Sequence, residues 1–355
     1  MPPKGSRKAK AKTEKGAKTE PEPAAKERPA ATGVRSPADG TKPEAPEEAP
    51  AATETDTKDQ SKSQIPAAAK PSKKRRRDAH ATLEPNKAPR RSTRGATKSS
   101  PSQVQMLNFL LAPAALELCR PEDEKKDLAA RGANARTYSS TPLSPFEELM
   151  CAVVLSRPIS HVLGLRTIRT LLNPPYGFDS AKAVKEAGED KRLQAVWDAR
   201  TQHKDKTAME LGKLAEAVLA KWAKDDPDGT TLEGVRKEAK HDVDEEHDLL
   251  KSAVHGLGKT GLQIFFRRVQ WLWEEVCPYM DDRTAKAVKG LGLPADAEEL
   301  RGLLEKSWGE LDTKSVDGNN EKEKKRRAFV VVLERAVGAD LERKVDAVLA
   351  AASES

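Results

Sequence analysis

Every aromatic residue of this 355-residue chain lies beyond residue 100. That asymmetry decides which part can fold. Residues 1–100 hold 13 of the 24 prolines and no Phe, Tyr or Trp. Such a segment buries too little apolar surface to offset its conformational entropy, so a disordered tail is expected there. Residues 101–355 keep all fourteen aromatics, and a segment of that length can build a sizeable core. Charge divides at the same place. The tail carries 24 Lys and Arg against 13 Asp and Glu, a net of +11, while the whole chain is +7, which leaves −4 for the rest.

The tail contains Lys73-Lys74-Arg75-Arg76-Arg77. A dense basic run in an accessible segment reads as a nuclear import signal, with an import receptor as partner. The plainer reading is a solvated charge run. Arg90, Arg91, Arg94 and Lys98 add cations that can make sequence-independent, salt-sensitive phosphate contacts. Cys119, Cys151 and Cys277 are far apart and odd in number, which argues against a disulfide framework or a cysteine metal site and for a reducing compartment. No apolar run approaches the ~20 residues needed to span a bilayer. The longest, Met106 to Leu118, contains Asn108 and Pro113. No secretory h-region opens the chain, and the prolines count against a mitochondrial transit peptide. The expectation is a nuclear, non-membrane monomer.

Helical spacing dominates residues 101–355. Gln103 to Leu118 is helical with a break at Pro113, and Pro121 to Tyr138 reads as charged and partly looped. Ser144-Pro145-Phe146-Glu147 is a capping box with proline at the first helical position. The apolar run Leu149 to Leu155 that follows should be central to the core. His161 to Leu172 is a second helix, stopped at Asn173-Pro174-Pro175, and Lys204 to Trp222 a long amphipathic one. Further helices are expected near 282–291, 296–307, 321–337 and 339–352, with a polar loop from Asp312 to Asn320. No period-2 strand pattern occurs. The expected fold is all-α, one bundle-like domain of roughly ten helices of ordinary length.

Leu249 to Pro294 organises that domain. A half-apolar helical run ends at His255, a Gly256-Leu257-Gly258 turn follows, and a second helix runs from Lys259 to about Val276. A Pro-Tyr break then leads to Asp281 and Asp282. Hairpin glycines let backbone amides approach a phosphate, and a helix N-terminus favours negative charge. The plainer reading is a glycine C-cap joining two packed helices.

These residues resemble the helix-hairpin-helix base-excision DNA glycosylases, the endonuclease III-like superfamily. Pro145-Phe146-Glu147-Glu148-Leu149 through Leu155-Ser156 is similar to the opening helix of that family, and Lys206-Thr207-Ala208 lies in a helix like its next conserved one. His255-Gly256-Leu257-Gly258-Lys259-Thr260-Gly261 is similar to the hairpin, and Met280-Asp281 followed by Leu291-Gly292-Leu293 to the segment bearing the family's aspartate. The resemblance covers roughly 143–294. It implies a helix-hairpin-helix glycosylase-like helical domain that binds double-stranded DNA through Gly256, Leu257, Gly258, Lys259 and Thr260. It also implies a catalytic Asp281 that helps break the N-glycosidic bond of a flipped base, and hairpin carbonyls that hold a monovalent cation. Where members that also cut the backbone carry a lysine, this chain has Thr260. Lys259 is about 100° away along a helix, so no lyase activity is expected. The family's four-cysteine iron–sulfur loop is missing from the C-terminal third, so no cluster is expected. Arg157-Pro158 and Asp282-Arg283 replace residues usual in the family. The expected activity is therefore monofunctional base removal, with a catalytically inactive DNA-binding protein as the alternative.

Other residues have plainer readings. Asp281 or Asp282 can simply cap the next helix. Arg267, Arg268 and Lys286 read first as solvated helix faces, as do Lys322, Lys324, Lys325, Arg326 and Arg327. Trp271 and Trp273 point to different faces, so at least one is expected in the core. His241 and His247 lie in an acidic run, but six residues on one helix separate them, so no metal site is expected there.

Overall fold

A computed structural model describes residues 100–355 except Ala133. The expected disordered tail and the basic run Lys73–Arg77 lie outside the described residues. Among the described residues there are fifteen α-helices, two short 3-10 turns and no strand, more elements than sequence spacing suggested. The extra helices are short and charged. They are α3 (Glu122–Arg131), expected to be partly loop, and α9 (Glu233–Glu238); α6 (Ala181–Glu186) is the helix expected behind an Asp179 or Ser180 cap, and Ser180 caps it. Charged faces carry little periodic apolar signal, so tertiary packing rather than pattern fixes them.

Capping chemistry set the stronger boundaries. The chain starts with α1 (Gln103–Leu111) and α2 (Pro113–Cys119), which meet at the Pro113 break. Helix α4 (Pro145–Leu155) opens on the Ser144 capping box. Ser144 Oγ accepts the Glu147 amide at 3.3 Å, and Glu147 Oε2 accepts the Ser144 amide at 2.9 Å. Helix α5 (His161–Leu172) starts at a Ser160 cap; α7 (Gly188–Asp198) and α8 (Lys204–Trp222) follow and pack on each other. Then come α10 (Val243–Ala253) and α11 (Lys259–Val269), joined by the Gly256–Gly258 turn that the sequence reads as a hairpin. The last helices are α12 (Asp282–Gly290), α13 (Ala297–Lys306), α14 (Glu321–Leu341) and α15 (Val345–Glu354).

Instead of one bundle core there are two. The first gathers the apolar faces of α4 to α11, including Phe146, Leu149, Leu211 and Phe265. The second joins α1 and α2 to α12 through α15, around Leu107, Val288, Phe329 and Leu333. Both ends of the chain's folded part thus close on each other, and the hairpin stretch runs from one core into the other. Trp271 and Trp273 are both buried.

The seam between the cores is charged. Arg268 grips Glu148 of α4 through two bonds of 2.9 Å, and Arg267 reaches Glu334 of α14 at 2.6 Å. Arg268 also lies 3.6 Å from Glu334 and stacks 4.1 Å over the Tyr138 ring. The solvated-face expectation for Arg267 and Arg268 is therefore corrected: both are buried, as is Arg327, which lies over the Trp271 ring. Buried guanidinium groups are costly unless paired, and here three acids from distant parts of the chain converge on Arg267 and Arg268.

Candidate functional site

The turn joining α10 to α11 falls at the expected glycines. Val254 ends α10, and Gly256 takes a left-handed conformation with φ +83°. A side chain there would be strained by its backbone and would press on the Glu210 carboxylate, 3.2 Å from a Cβ. Gly258 differs. Its φ is −94° and ψ −174°, ordinary extended backbone, and a Cβ on it would meet nothing within 4 Å. It is the N-cap of α11 and offers no side-chain acceptor, so the first-turn amides of α11 have no side-chain cap. Gly256, Gly258, Lys259 and Thr260 are all exposed.

Leu257 has another job. Its side chain is buried, and its Cδ1 would touch a Cβ on Gly261 at 2.7 Å, so it locks the turn onto α11. Its amide donates to the Val254 carbonyl at 3.2 Å. The structure therefore gives Leu257 a packing role and leaves the two glycines, Lys259 and Thr260 as the accessible surface. Of the carbonyls that a monovalent cation would need, those of Val254 and Gly258 accept the Leu257 and Leu262 amides and each keep a second lone pair. Beneath the turn, Glu210 of α8 pairs with the half-buried Arg157, and Lys206 lies 3.8 Å away. Arg157 neutralises the carboxylate that sits directly under Gly256.

Beside the hairpin, at the seam of the two cores, lies a cavity of about 290 Å³. Thr260, Gln263 and Arg267 of α11 line one side, Asp281 the start of α12, and Glu334 of α14 another. His161 and Tyr138 also face it. Burial holds the His161 imidazole below its ordinary pKa, although Glu342 stands 3.4 Å away. Burial likewise pushes the Tyr138 hydroxyl well up. Lys259 is not among the lining residues; Thr260 is.

Asp281 sits at the cavity edge but is fully engaged. Its Oδ1 accepts the amides of Arg283 and Thr284, both at 3.1 Å. Its Oδ2 accepts the Thr284 hydroxyl at 2.7 Å and Arg267 Nη1 at 2.9 Å. Burial alone would raise this carboxyl. The Arg267 charge and the Thr284 hydrogen bonds outweigh it and hold the pKa below the ordinary aspartate value. Only 6 % of the residue is exposed. A carboxylate offers about four lone-pair sites, and four donors occupy them. The capping role weighed against catalysis is therefore present, and an ion pair is added to it. Asp282, by contrast, is exposed.

The partners of Asp281 were not legible as such. Sequence spacing puts Arg267 on a solvated face, and nothing in the pattern around Glu334 marks it. The usable signal was local. Arg267 and Arg268 interrupt an apolar run, Ile264 to Val269, where a solvated face would not be expected on a buried helix. Compared with known protein families, with curated proteins and with solved structures, the chain matches none.

Proposed function

We propose that the folded part is a helix-hairpin-helix DNA-binding module that grips a duplex backbone at the hairpin and does not itself hydrolyse the N-glycosidic bond. The observation that carries this reading is the exposed, uncapped N-terminus of α11 behind two glycines, flanked by Lys259 and Thr260. Unsatisfied amides and the helix dipole favour an anion there, and a lysine adds charge. The binding half of the expectation thus has a surface. The hydrolytic half meets a saturated Asp281: a general base needs a free lone pair, and the paired guanidinium cancels the negative charge that would stabilise a cationic sugar. Contacts of this kind read phosphate and carry no base sequence.

A second reading, base removal, is favoured by one feature. Asp281 and Thr260 line the same cavity, and its 290 Å³ is roomy enough for an extruded base. It would require Arg267 to release Asp281 when DNA binds.

One experiment weighs both. The full chain is titrated into labelled duplexes carrying normal, uracil, alkylated or oxidised bases, and base release is scored in the same samples. The expected outcome is binding without release. Lys259→Gln should weaken every duplex alike and lower the salt slope by about 1. Unchanged binding in that variant would remove the hairpin from the interface. Base release that disappears in Asp281→Asn would replace the first reading with the second.

A further inference from the structure

Between α9 and α10 the backbone makes an unusual turn. Lys240 and His241 are consecutive non-glycine residues in left-handed conformation, with φ 55° and 60°. The His241 amide donates to the Arg236 carbonyl at 2.9 Å, and the Asp242 amide to the Ala239 carbonyl at 3.0 Å. The turn carries the His241 ring onto the 3-10 turn Glu274–Val276, placing Nδ1 3.2 Å from Glu275 Oε1. The Glu275 carboxylate is itself clamped by Arg236, with bonds of 2.6 and 2.9 Å.

Behind this pair stands Glu246, in the first turns of α10. It is fully buried, and neither of its carboxylate oxygens receives a hydrogen bond from a donor. Its ligand oxygen, one oxygen of Glu275 and a ring nitrogen of His241 all lie within 4.8 Å of one another. His247, six residues on along the chain, is not the partner of His241. The partners are instead a residue five positions on and another thirty-four positions on.

Two carboxylates that face each other in a buried place need a positive charge between them, either a shared proton or a metal ion. Arg236 holds both oxygens of Glu275, including the Oε1 that faces His241, and does not reach Glu246 with a hydrogen bond. We propose that His241, Glu246 and Glu275 form a divalent transition-metal site, with zinc the best-suited ion. One imidazole and two carboxylates are the donor set of zinc and its neighbours, whereas calcium and magnesium prefer oxygen alone. Bonds of about 2.0–2.2 Å in a tetrahedron separate ligand atoms by roughly 3.3 Å, close to the 3.2 Å between His241 and Glu275. The His241 side chain is 50 % exposed, which gives an ion a route in, lets the ring adjust, and leaves a fourth position for water. Arg236 orients Glu275 from outside the ligand set, as outer partners of metal sites do. A bound ion would tie the start of α10, the first arm of the hairpin, to the 274–276 turn.

The test uses the full, untagged chain stripped with a chelator and titrated calorimetrically with Zn²⁺, with thermal unfolding followed in parallel. The expected result is one equivalent bound and a higher Tm with the ion. His241→Ala and Glu246→Gln should each weaken binding by more than the ~10–100-fold that loss of an outer partner costs. Mg²⁺ should produce neither effect. Glu246→Gln keeps the side-chain volume and gives Glu275 an amide donor, so it should fold without metal. If it does not, His241→Ala, at an exposed position, still decides. No stoichiometric Zn²⁺ binding by the wild-type chain would overturn the site and leave a proton between the carboxylates. Equal affinity in wild type and His241→Ala would overturn it too, by placing the ion elsewhere. Neither readout involves DNA, so the outcome does not bear on the hairpin.

Discussion

At the scale of single residues, Asp281 shows how one side chain can satisfy two accounts. Its place before Arg283 and Thr284 makes it an N-cap, and its place opposite Arg267 makes it half of a buried ion pair. The cap was legible, because aspartate after a Pro-Tyr break suits that position. The ion pair was not, because Arg267 lies fourteen residues before Asp281, and its other partner, Glu334, sixty-seven residues after Arg267. Long-range pairing leaves no periodic trace. The pair has a pH consequence. Its folded pKa lies below the ordinary 3.8, so ionised Asp281 contributes stability that is fully present above that value. The contribution is lost as pH falls from about 3.8 through the folded pKa. Urea unfolding of wild type and Asp281→Asn should therefore show a stability gap that is constant near neutrality and narrows below pH 3.8. A gap independent of pH down to the acid transition would mean that Asp281 is not held by Arg267 in solution.

At the scale of elements, helices α4, α5 and α8 were readable almost to the residue. Their starts carry Ser144 and Ser160 caps or a proline-free apolar stripe, and α5 stops at a run of prolines. The hairpin was readable for a related reason: two glycines flanked by helical spacing admit few conformations. Its two glycines nevertheless serve different ends, which spacing alone cannot separate. Gly256 is required by its positive φ, whereas Gly258 has a conformation that serine adopts readily at an N-cap. Gly258→Ser should stabilise the fold by a few tenths of a kcal/mol, because its hydroxyl can accept an α11 amide. The same hydroxyl would occupy the surface proposed for phosphate, so DNA affinity should fall while stability rises. Those two quantities, measured by chemical unfolding and by fluorescence anisotropy, should move in opposite directions. Affinity that is unchanged or improved in Gly258→Ser would argue that the hairpin amides do not touch DNA.

At the scale of the whole molecule, charge is distributed against the grain of a simple DNA-binding domain. Residues 101–355 sum to −4 while residues 1–100 sum to +11. A folded part with net negative charge gains nothing from long-range attraction to a polyanion, so its binding must rest on short-range contacts at the hairpin. In the proposed function the basic segment would supply the opposite kind of binding, diffuse and strongly dependent on salt. Together these predict two separable terms in one titration. Each phosphate neutralised adds about 0.9 to the slope of log affinity against log salt. Removing residues 1–99 should therefore take away most of the slope and much of the low-salt affinity. What remains should have a shallow slope and should still respond to Gly258→Ser. If the shortened chain instead keeps the full slope, the cations that meet DNA lie on the folded surface, and the division of labour inferred from the sequence is wrong. If it keeps no binding at all, the uncapped helix end is too weak to hold a duplex alone, and the hairpin acts only once the basic segment has brought DNA to it.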